Sequence, residues 1–435
     1  MRPRPDDAGS REGQFAPSSG CNAQKPVAPV GRRTTLGAMP GANMDGLLQK
    51  VWDGGRISSD EAVRLFDLPL TELGALADRR RQLAKARAYG GRGNAIVTFS
   101  VDRNINYTNI CCVGCRFCAF WRSASAPDAY VISLAELDRK IEGTLTQGGT
   151  QILLQGGHHP ALPKQWYLDL LAHIRDKFPQ LNVHGFSPPE FIHFRDLFDE
   201  PVERLLAEFK AAGLGSIPGG GAEILVDRVR RQISPCKATT AEWLEVMETA
   251  HRLGLYSSAT MMFGHVETLA DRIEHLERLR ALQDRSLARA AAQAPLGDPA
   301  EADATSTRSN SRPPGLPPDG VGRFTAFIGW TFQPENTRLR LPAAGAHDYL
   351  RTQALARIYL DNFDNVQSSW VTQGPAIGQV ALRFGANDLG SVMIEENVVR
   401  QAGACFRMSV ADMKRLIRDL GYEPRQRDNW YRLVD

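Results

Sequence analysis

Between residue 95 and the C-terminus, short apolar runs alternate with longer amphipathic stretches. The apolar runs are "AIVTFSVDRNINYTNI" (95–110), "QILLQGG" (151–157), "NVHGFS" (182–187), "LGSIPGGG" (214–221), "YSSATMMFG" (256–264), "FTAFIGWTF" (324–332) and "NVQSSWVTQG" (365–374). Between them the spacing predicts helices over 133–147, 164–178, 201–212, 225–232, 239–253 and 346–361. A further helix begins near 269, where Leu269, Ile273, Leu276, Leu279 and Leu282 recur at i+3 and i+4. Upstream, "SSDEAVRLFD" reads as a capped short helix. "TELGALADRRRQLAKARAYGG" reads as a longer one, with Thr71 as N-cap and Gly90 near its end. Short apolar strands alternating with helices mean βαβ units and a parallel sheet buried on both faces. At least six such units, with chemistry-bearing residues after the strands, favour an α/β fold of the (β/α) TIM-barrel type over a doubly wound sheet.

Two segments break the pattern. Residues 1–43 are rich in Pro, Gly, Ser and Arg, with Phe15 the only aromatic, so they cannot bury enough area to order themselves. A flexible tail, an early start codon upstream of Met39 or Met44, and an Arg-rich presequence are the readings available. Residues 284–322 are Ala/Pro/Ser/Arg-rich and read as a low-complexity surface insertion. The expected organisation is a disordered tail (1–43), an N-terminal helical segment (44–94), a barrel (95–385, interrupted at 284–322) and a C-terminal extension (386–435).

Bulk composition adds exclusions. With 52 basic and 49 acidic side chains the net charge of the 435-residue chain is +3, which points to neither nucleic acid nor a membrane surface. No apolar run is long enough to span a bilayer, and the N-terminus has no signal-peptide core. A cytoplasmic protein is the expectation. Seven cysteines, four of them inside "NICCVGCRFCAF" (109–120), suit metal binding rather than a disulfide framework.

Cys111, Cys115 and Cys118 have the spacing C-x3-C-x2-C. Three thiolates on one short loop can hold three corners of a [4Fe–4S] cube and leave one iron open. An open iron can chelate the amino and carboxylate groups of S-adenosylmethionine, and the reduced cluster then yields a 5′-deoxyadenosyl radical. Cys112 adjoins Cys111, and neighbouring side chains of an extended loop point opposite ways, so Cys112 reads as a small packing residue. Phe117, Phe120 and Trp121 would wall the cluster from solvent. The competing reading is structural zinc in a non-catalytic binding protein. Zinc usually takes two separated ligand pairs, and here only Cys236, Cys405 or His158 could complete a set.

The cysteine motif at the end of a first strand resembles that of the radical S-adenosylmethionine superfamily. Together with "ILLQGGHHP", "HGFSPPE", "IPGGGAEIL", "MMFGHVET", "WTFQPENT" and "WVTQGP…QVALRFGANDLGS", it resembles the cyclic dehypoxanthine futalosine synthase family of menaquinone biosynthesis. The resemblance runs from about residue 44 to the C-terminus outside the insertion. The tail and the insertion are extra to the family pattern, and Gly329 stands where a proline is expected.

The resemblance implies one cyclisation. The deoxyadenosyl radical takes hydrogen from C4′ of the ribose of dehypoxanthine futalosine. The carbon radical adds to the benzoate ring, and loss of an electron and a proton restores aromaticity. It implies an electron donor such as flavodoxin or ferredoxin. It also implies that Gly156 and Gly157 accept from the methionyl amine. Sister activities sharing the cluster loop are aminofutalosine synthase and the radical enzyme of deazaflavin biosynthesis.

The other candidates follow strands. Phe117 and Glu223 are expected to contact the cofactor, Glu223 as an acceptor or else as a helix-start residue. His159 and Glu190 are the catalytic candidates for proton transfer, with Glu223 a further base; Glu190 could equally cap a helix. His265, Trp330, Gln333 and Asn336 are expected to line the substrate pocket, with Trp330 stacking an aromatic ring.

Overall fold

The computed structural model describes residues 44–293 and 320–434. The expectations for residues 1–43 lie outside the described residues. Ten strands form one parallel sheet: β1 (Ile96–Ser100), β2 (Asp102–Asn106), β3 (Gln151–Gln155), β4 (Asn182–Gly185), β5 (Ser216–Ile217), β6 (Tyr256–Phe263), β7 (Phe324–Thr331), β8 (Val366–Gln367), β9 (Asp388–Ser391) and β10 (Glu423–Gln426). Their order is β10-β1-β9-β8-β7-β6-β5-β4-β3-β2. β1 and β2 are one run of chain interrupted only at Val101, so the two ends of that order meet. The amides of Val392, Ile394 and Asn104 donate to the carbonyls of Ser100, Asp102 and Glu395 at 3.0–3.1 Å, which closes the sheet into a ring. β1–β2 is the first of eight positions, β3 to β9 supply the rest, and β10 lies beside β1, the lower half of that first position. Residues 386–435, read from the sequence as an extension, thus supply two strands of the same sheet.

The outer faces of the strands are apolar and bury against helices. Ile105, Ile152, Leu154, Val183, Ile217 and Phe327 join Leu137, Leu170, Leu205, Val246 and Leu276 in the main core. A second cluster packs Val97, Phe99 and Leu389 against Met413 and Ile417. The inner face is polar. At its base Arg427 bridges Asp388 at 2.9 and 3.0 Å, and Thr98 donates to Asp388 at 2.6 Å. Gln151 donates to Asp102 at 2.7 Å, and the His184 ring lies 2.8 Å from the Ser216 hydroxyl. Higher up, Leu153, Gln155, Ile328 and Trp330 share the inward parity yet stay half-exposed. The upper lumen is therefore not filled by side chains.

Three expectations change. The helix read as starting at Thr71 spans Leu70–Lys85 and follows Pro69 without a side-chain cap, while Gly90 lies in a turn at φ +66°. A helix at Pro188–Phe198 was not foreseen. The helix beginning at Leu269 runs to Gln293, ten residues into the segment read as a low-complexity loop. Alanine and arginine are strong helix formers. That extension is also tied down: Ser286 is buried against the His251 ring at 2.8 Å, and Arg285 reaches Glu248 at 3.0 Å. Among the described residues no helix is long and apolar enough to cross a membrane.

Candidate functional site

The loop leaving β2 carries the clustered cysteines and is braced from four sides. Gly157 donates to the Thr108 carbonyl at 2.9 Å and Cys112 to the His158 carbonyl at 3.0 Å, which binds the loop to the end of β3. Cys111 donates to the Arg122 carbonyl at 3.0 Å, and Arg122 returns a bond to Asn109 at 2.8 Å. Arg116 donates to Ile233 and Arg338 to Arg116, each at 2.8 Å. Glycine at Gly114 accommodates a left-handed turn at φ +56°. Cys115 is buried, Cys111 and Cys118 are half-buried and Cys112 is exposed. Burial pushes the Cys115 thiol up to about 12, with Lys237 pulling the other way. Burial also raises Cys118. Positive charge bound among these thiols would oppose that rise.

The two glycines after β3 are consumed by packing. A Cβ on Gly156 would lie 2.5 Å from the Tyr107 ring, and one on Gly157 would lie 2.2 Å from the Ile110 carbonyl oxygen. Their missing side chains bring β3 flush against the cysteine loop.

Two carboxylates sit at successive strand ends. Glu190 is buried at the N-terminus of the helix after β4. Its Oε1 accepts from Tyr107 (2.7 Å) and the Gly156 amide (3.1 Å). Its Oε2 accepts from the Ser187 amide and hydroxyl, both at 2.7 Å. Burial raises its pKa and those four donors pull it back. Glu223 follows the glycines after β5, at φ +39°, a left-handed conformation that costs a non-glycine residue energy. Its Oε1 accepts from Lys237 at 3.0 Å, while buried Oε2 has no hydrogen-bond partner. The Arg230 guanidinium, 3.7 Å away, is too distant to bond it. Arg230 instead holds the Ala222 carbonyl at 2.6 Å and Gly221 at 3.1 Å.

Lys237 joins this group to the cluster loop, its ammonium lying 5.4 Å from the centroid of the Phe117 ring. Burial acts to lower its pKa, but Glu223 and Cys115 hold it above the ordinary lysine value. Neither Lys237 nor Arg230 was singled out from the sequence. Both stand on or just after the short helix Asp227–Ile233, and no local pattern marks them.

The remaining candidates separate. His159 is half-buried, and its Nδ1 accepts from the amides of Ala161 and Leu162 at 3.1 Å, which puts the proton of the neutral ring on Nε2. Burial lowers its pKa. Neither His159 nor Glu190 therefore presents a free basic lone pair. The His265 side chain is fully buried between the Met262 carbonyl, 3.0 Å away, and Glu267, 3.0 Å away, which fixes the loop after β6. Asn336 is exposed and donates to the Gln401 carbonyl at 2.9 Å. Gln333 folds back on the Thr331 carbonyl at 3.2 Å. Trp330 shares a sheet face with Ser258 and Thr260 and remains half-exposed toward the lumen.

Residues 105–279 match the radical SAM superfamily, and residues 321–435 match the CofH/MqnC C-terminal region. The chain is 37% identical to the cyclic dehypoxanthine futalosine synthase of Halalkalibacterium halodurans, over 90% of this chain and 95% of that one. It is 39% identical to the cyclic dehypoxanthine futalosine synthase of Streptomyces coelicolor, over 90% of this chain and 88% of that one. The fold is shared with the crystal structure of methylornithine synthase, at a TM-score of 0.58 and 15% identity, covering 87% of this chain and 97% of that one. Superfamily membership implies a [4Fe–4S] cluster and S-adenosylmethionine. The residues fit them in kind and spacing: three thiols stand on one braced loop, and a buried Glu223 oxygen near Cys115 lacks a hydrogen-bond partner, although among the described residues no three metal-ligating side chains are gathered around one point. The chain belongs to the radical SAM superfamily and, within it, to the cyclic dehypoxanthine futalosine synthase family.

Proposed function

We propose that this protein converts dehypoxanthine futalosine to cyclic dehypoxanthine futalosine in menaquinone biosynthesis, in the cytoplasm, with a reduced flavodoxin or ferredoxin as electron source. The observation that carries the reading is the placement of Cys111, Cys115 and Cys118 on one braced loop at the barrel mouth, beside the unpartnered Glu223 oxygen. The similarity to two synthases over nine-tenths of the chain supplies the substrate.

Cys111, Cys115 and Cys118 would hold three irons of the cluster, leaving the fourth for S-adenosylmethionine. When bound, the pair supplies the 5′-deoxyadenosyl radical that takes hydrogen from the substrate ribose. Glu223 would accept a hydrogen bond from the cofactor at Oε2. Lys237 aims that carboxylate by bonding Oε1. Gly156 and Gly157 hold the end of β3 against the loop and leave backbone carbonyls for the methionyl amine. Phe117 shields the thiolates from water. Trp330 would stack the aromatic ring of the substrate in the unfilled upper lumen, and Gln333 would line it. Once the new ring has formed, one electron and one proton must leave, the electron to the cluster. With the lone pairs of His159 and Glu190 engaged by N–H and O–H donors, Glu223 Oε2 is the proton acceptor the geometry favours among the three candidates.

Alanine replacements of the cysteines test this. With anaerobically reconstituted protein, Cys111→Ala, Cys115→Ala or Cys118→Ala should lose the iron and all deoxyadenosine formation, and Cys112→Ala should keep both. Deoxyadenosine formation in Cys118→Ala together with its loss in Cys112→Ala would overturn the ligand assignment. A colourless, zinc-loaded wild type would overturn the function.

A further inference from the structure

We propose that the arginines around the cysteine loop form the docking face for an acidic one-electron carrier protein. The inference rests on the reading of that loop as the cluster site and adds where the electron enters.

Two arginines lie on the exposed side of the loop, and two more belong to segments that touch it. Arg116 lies between Cys115 and Cys118 and is exposed. Arg338 donates its amide to the Arg116 carbonyl at 2.8 Å and its guanidinium to the Gly114 carbonyl, and it lies 5.2 Å from the Trp121 ring centroid. Arg340 follows two residues later, at φ +36°, and is exposed. Arg400 is exposed on the helical turn Val398–Gln401, which reaches the loop through Gln401: that side chain accepts from Arg122 at 3.1 Å, and its carbonyl accepts from Asn336 at 2.9 Å. None of the four forms an ion pair among the described residues.

Their acidic neighbours are already engaged. Asp128 is bound to Arg122 at 2.7 Å, and Glu396 accepts the amides of Val398 and Arg400 at 3.0 and 2.9 Å. Glu335 and Asp128 are exposed on this side, Glu335 packed against Gly403 and Asp128 paired with Arg122. In a chain whose net charge is only +3, four guanidinium groups without ion pairs on the loop and the segments touching it are a local concentration of positive potential.

That position fits electron delivery. Cys115 is buried beneath Arg116, while Cys111 and Cys118 keep part of their surface exposed, so the loop is where the cluster would come nearest to solvent. A carrier with an acidic face would be steered there. It would give up one electron and the cluster would gain one, with no bond or proton exchanged. Charge complementarity of this kind raises association rates more than affinity and weakens with salt.

Anaerobic stopped-flow reduction of the reconstituted full-length protein tests the proposal, read as bleaching of the cluster absorbance rather than as turnover. Reduced flavodoxin serves as the acidic carrier and the reduced methyl viologen cation as the small-molecule control. In Arg116→Glu the flavodoxin rate at low ionic strength should fall about tenfold, in Arg116→Lys it should be close to wild type, and the cationic viologen should reduce Arg116→Glu no more slowly than the other two. The wild-type flavodoxin rate should decline with salt, and that of Arg116→Glu should decline less steeply. An unchanged flavodoxin rate in Arg116→Glu would overturn the docking face. So would equal slowing with both reductants, which is the mark of a damaged loop. A wild type that assembles no cluster would overturn the proposed function itself, a result distinct from either.

Discussion

The chain leaves β4 and β5 by different routes, and the two exits divide the labour of the barrel mouth. After β4, Ser187, Pro188 and Pro189 turn directly into a helix, and Glu190 closes a capping box on Ser187. Its oxygens collect four donors from three elements: the β2 end (Tyr107), the β3 end (Gly156) and its own helix start. After β5, three glycines and a left-handed Glu223 keep the backbone off the helical path until Asp227. One Glu223 oxygen is bonded to Lys237, and the other has no hydrogen bond, only the Arg230 charge 3.7 Å away. A buried carboxylate with every lone pair used holds structure together. One left short of a partner, in a strained backbone, is maintained for something that arrives later.

The sharpest way to break this contrast is to neutralise the β5 pair as a unit. Glu223→Gln alone would leave the half-buried Lys237 without a counter-charge, at a cost that confuses stability with function. In the double variant Glu223→Gln, Lys237→Met both charges go together. Deoxyadenosine formation should drop at least about a hundredfold, the scale of losing one preorganised polar contact to the reacting group. Iron content should stay near wild type, and the thermal midpoint should fall only modestly, because Arg230, 3.7 Å from Glu223, loses that charge but keeps its bonds to the Ala222, Gly221 and Ala238 carbonyls. Full activity in that variant would remove the distinction between the two exits.

The β4 exit should respond the other way. In Glu190→Gln one carboxylate oxygen becomes an NH2 facing groups that are themselves donors. At least one buried N–H then loses its acceptor, which costs about 3 kcal/mol. Denaturant unfolding should register that loss. Activity per folded, cluster-loaded molecule should change only a few-fold. A stable but inactive Glu190→Gln would move Glu190 into the chemistry.

Much of this architecture was legible in the sequence, and the missing parts share a cause. The strands were readable because a parallel strand buried on both faces is a short apolar run, as "QILLQGG" is. The cysteine spacing was readable because its three residues lie in one stretch of chain. The ring closure was not. It depends on residues 391–395 bonding to β2, nearly 300 positions away, and no local periodicity carries that. The helix at Pro188–Phe198 did have a local signal, a serine followed three residues later by a glutamate with proline at the first helical position. Lys237 and Arg230 had none. Their meaning comes entirely from the β5 glycine loop folding back on the helix that follows it.

The smallest expected effect isolates one of Glu190's four bonds. Tyr107→Phe removes the hydroxyl that donates to Oε1 at 2.7 Å and keeps the ring that fills the space over Gly156. Tyr107 is fully buried, so no water takes the hydroxyl's place without a cavity opening. Glu190 retains three donors, and the loss should be about 1.5 kcal/mol, the low end for a hydrogen bond to a charged group. Thermal unfolding should show it as a modest drop in midpoint, with deoxyadenosine formation and substrate turnover per loaded molecule unchanged. A selective loss of turnover with the midpoint intact would mean that Tyr107 and Glu190 act together on a proton. The β4 exit would then belong to the reaction as much as the β5 exit does.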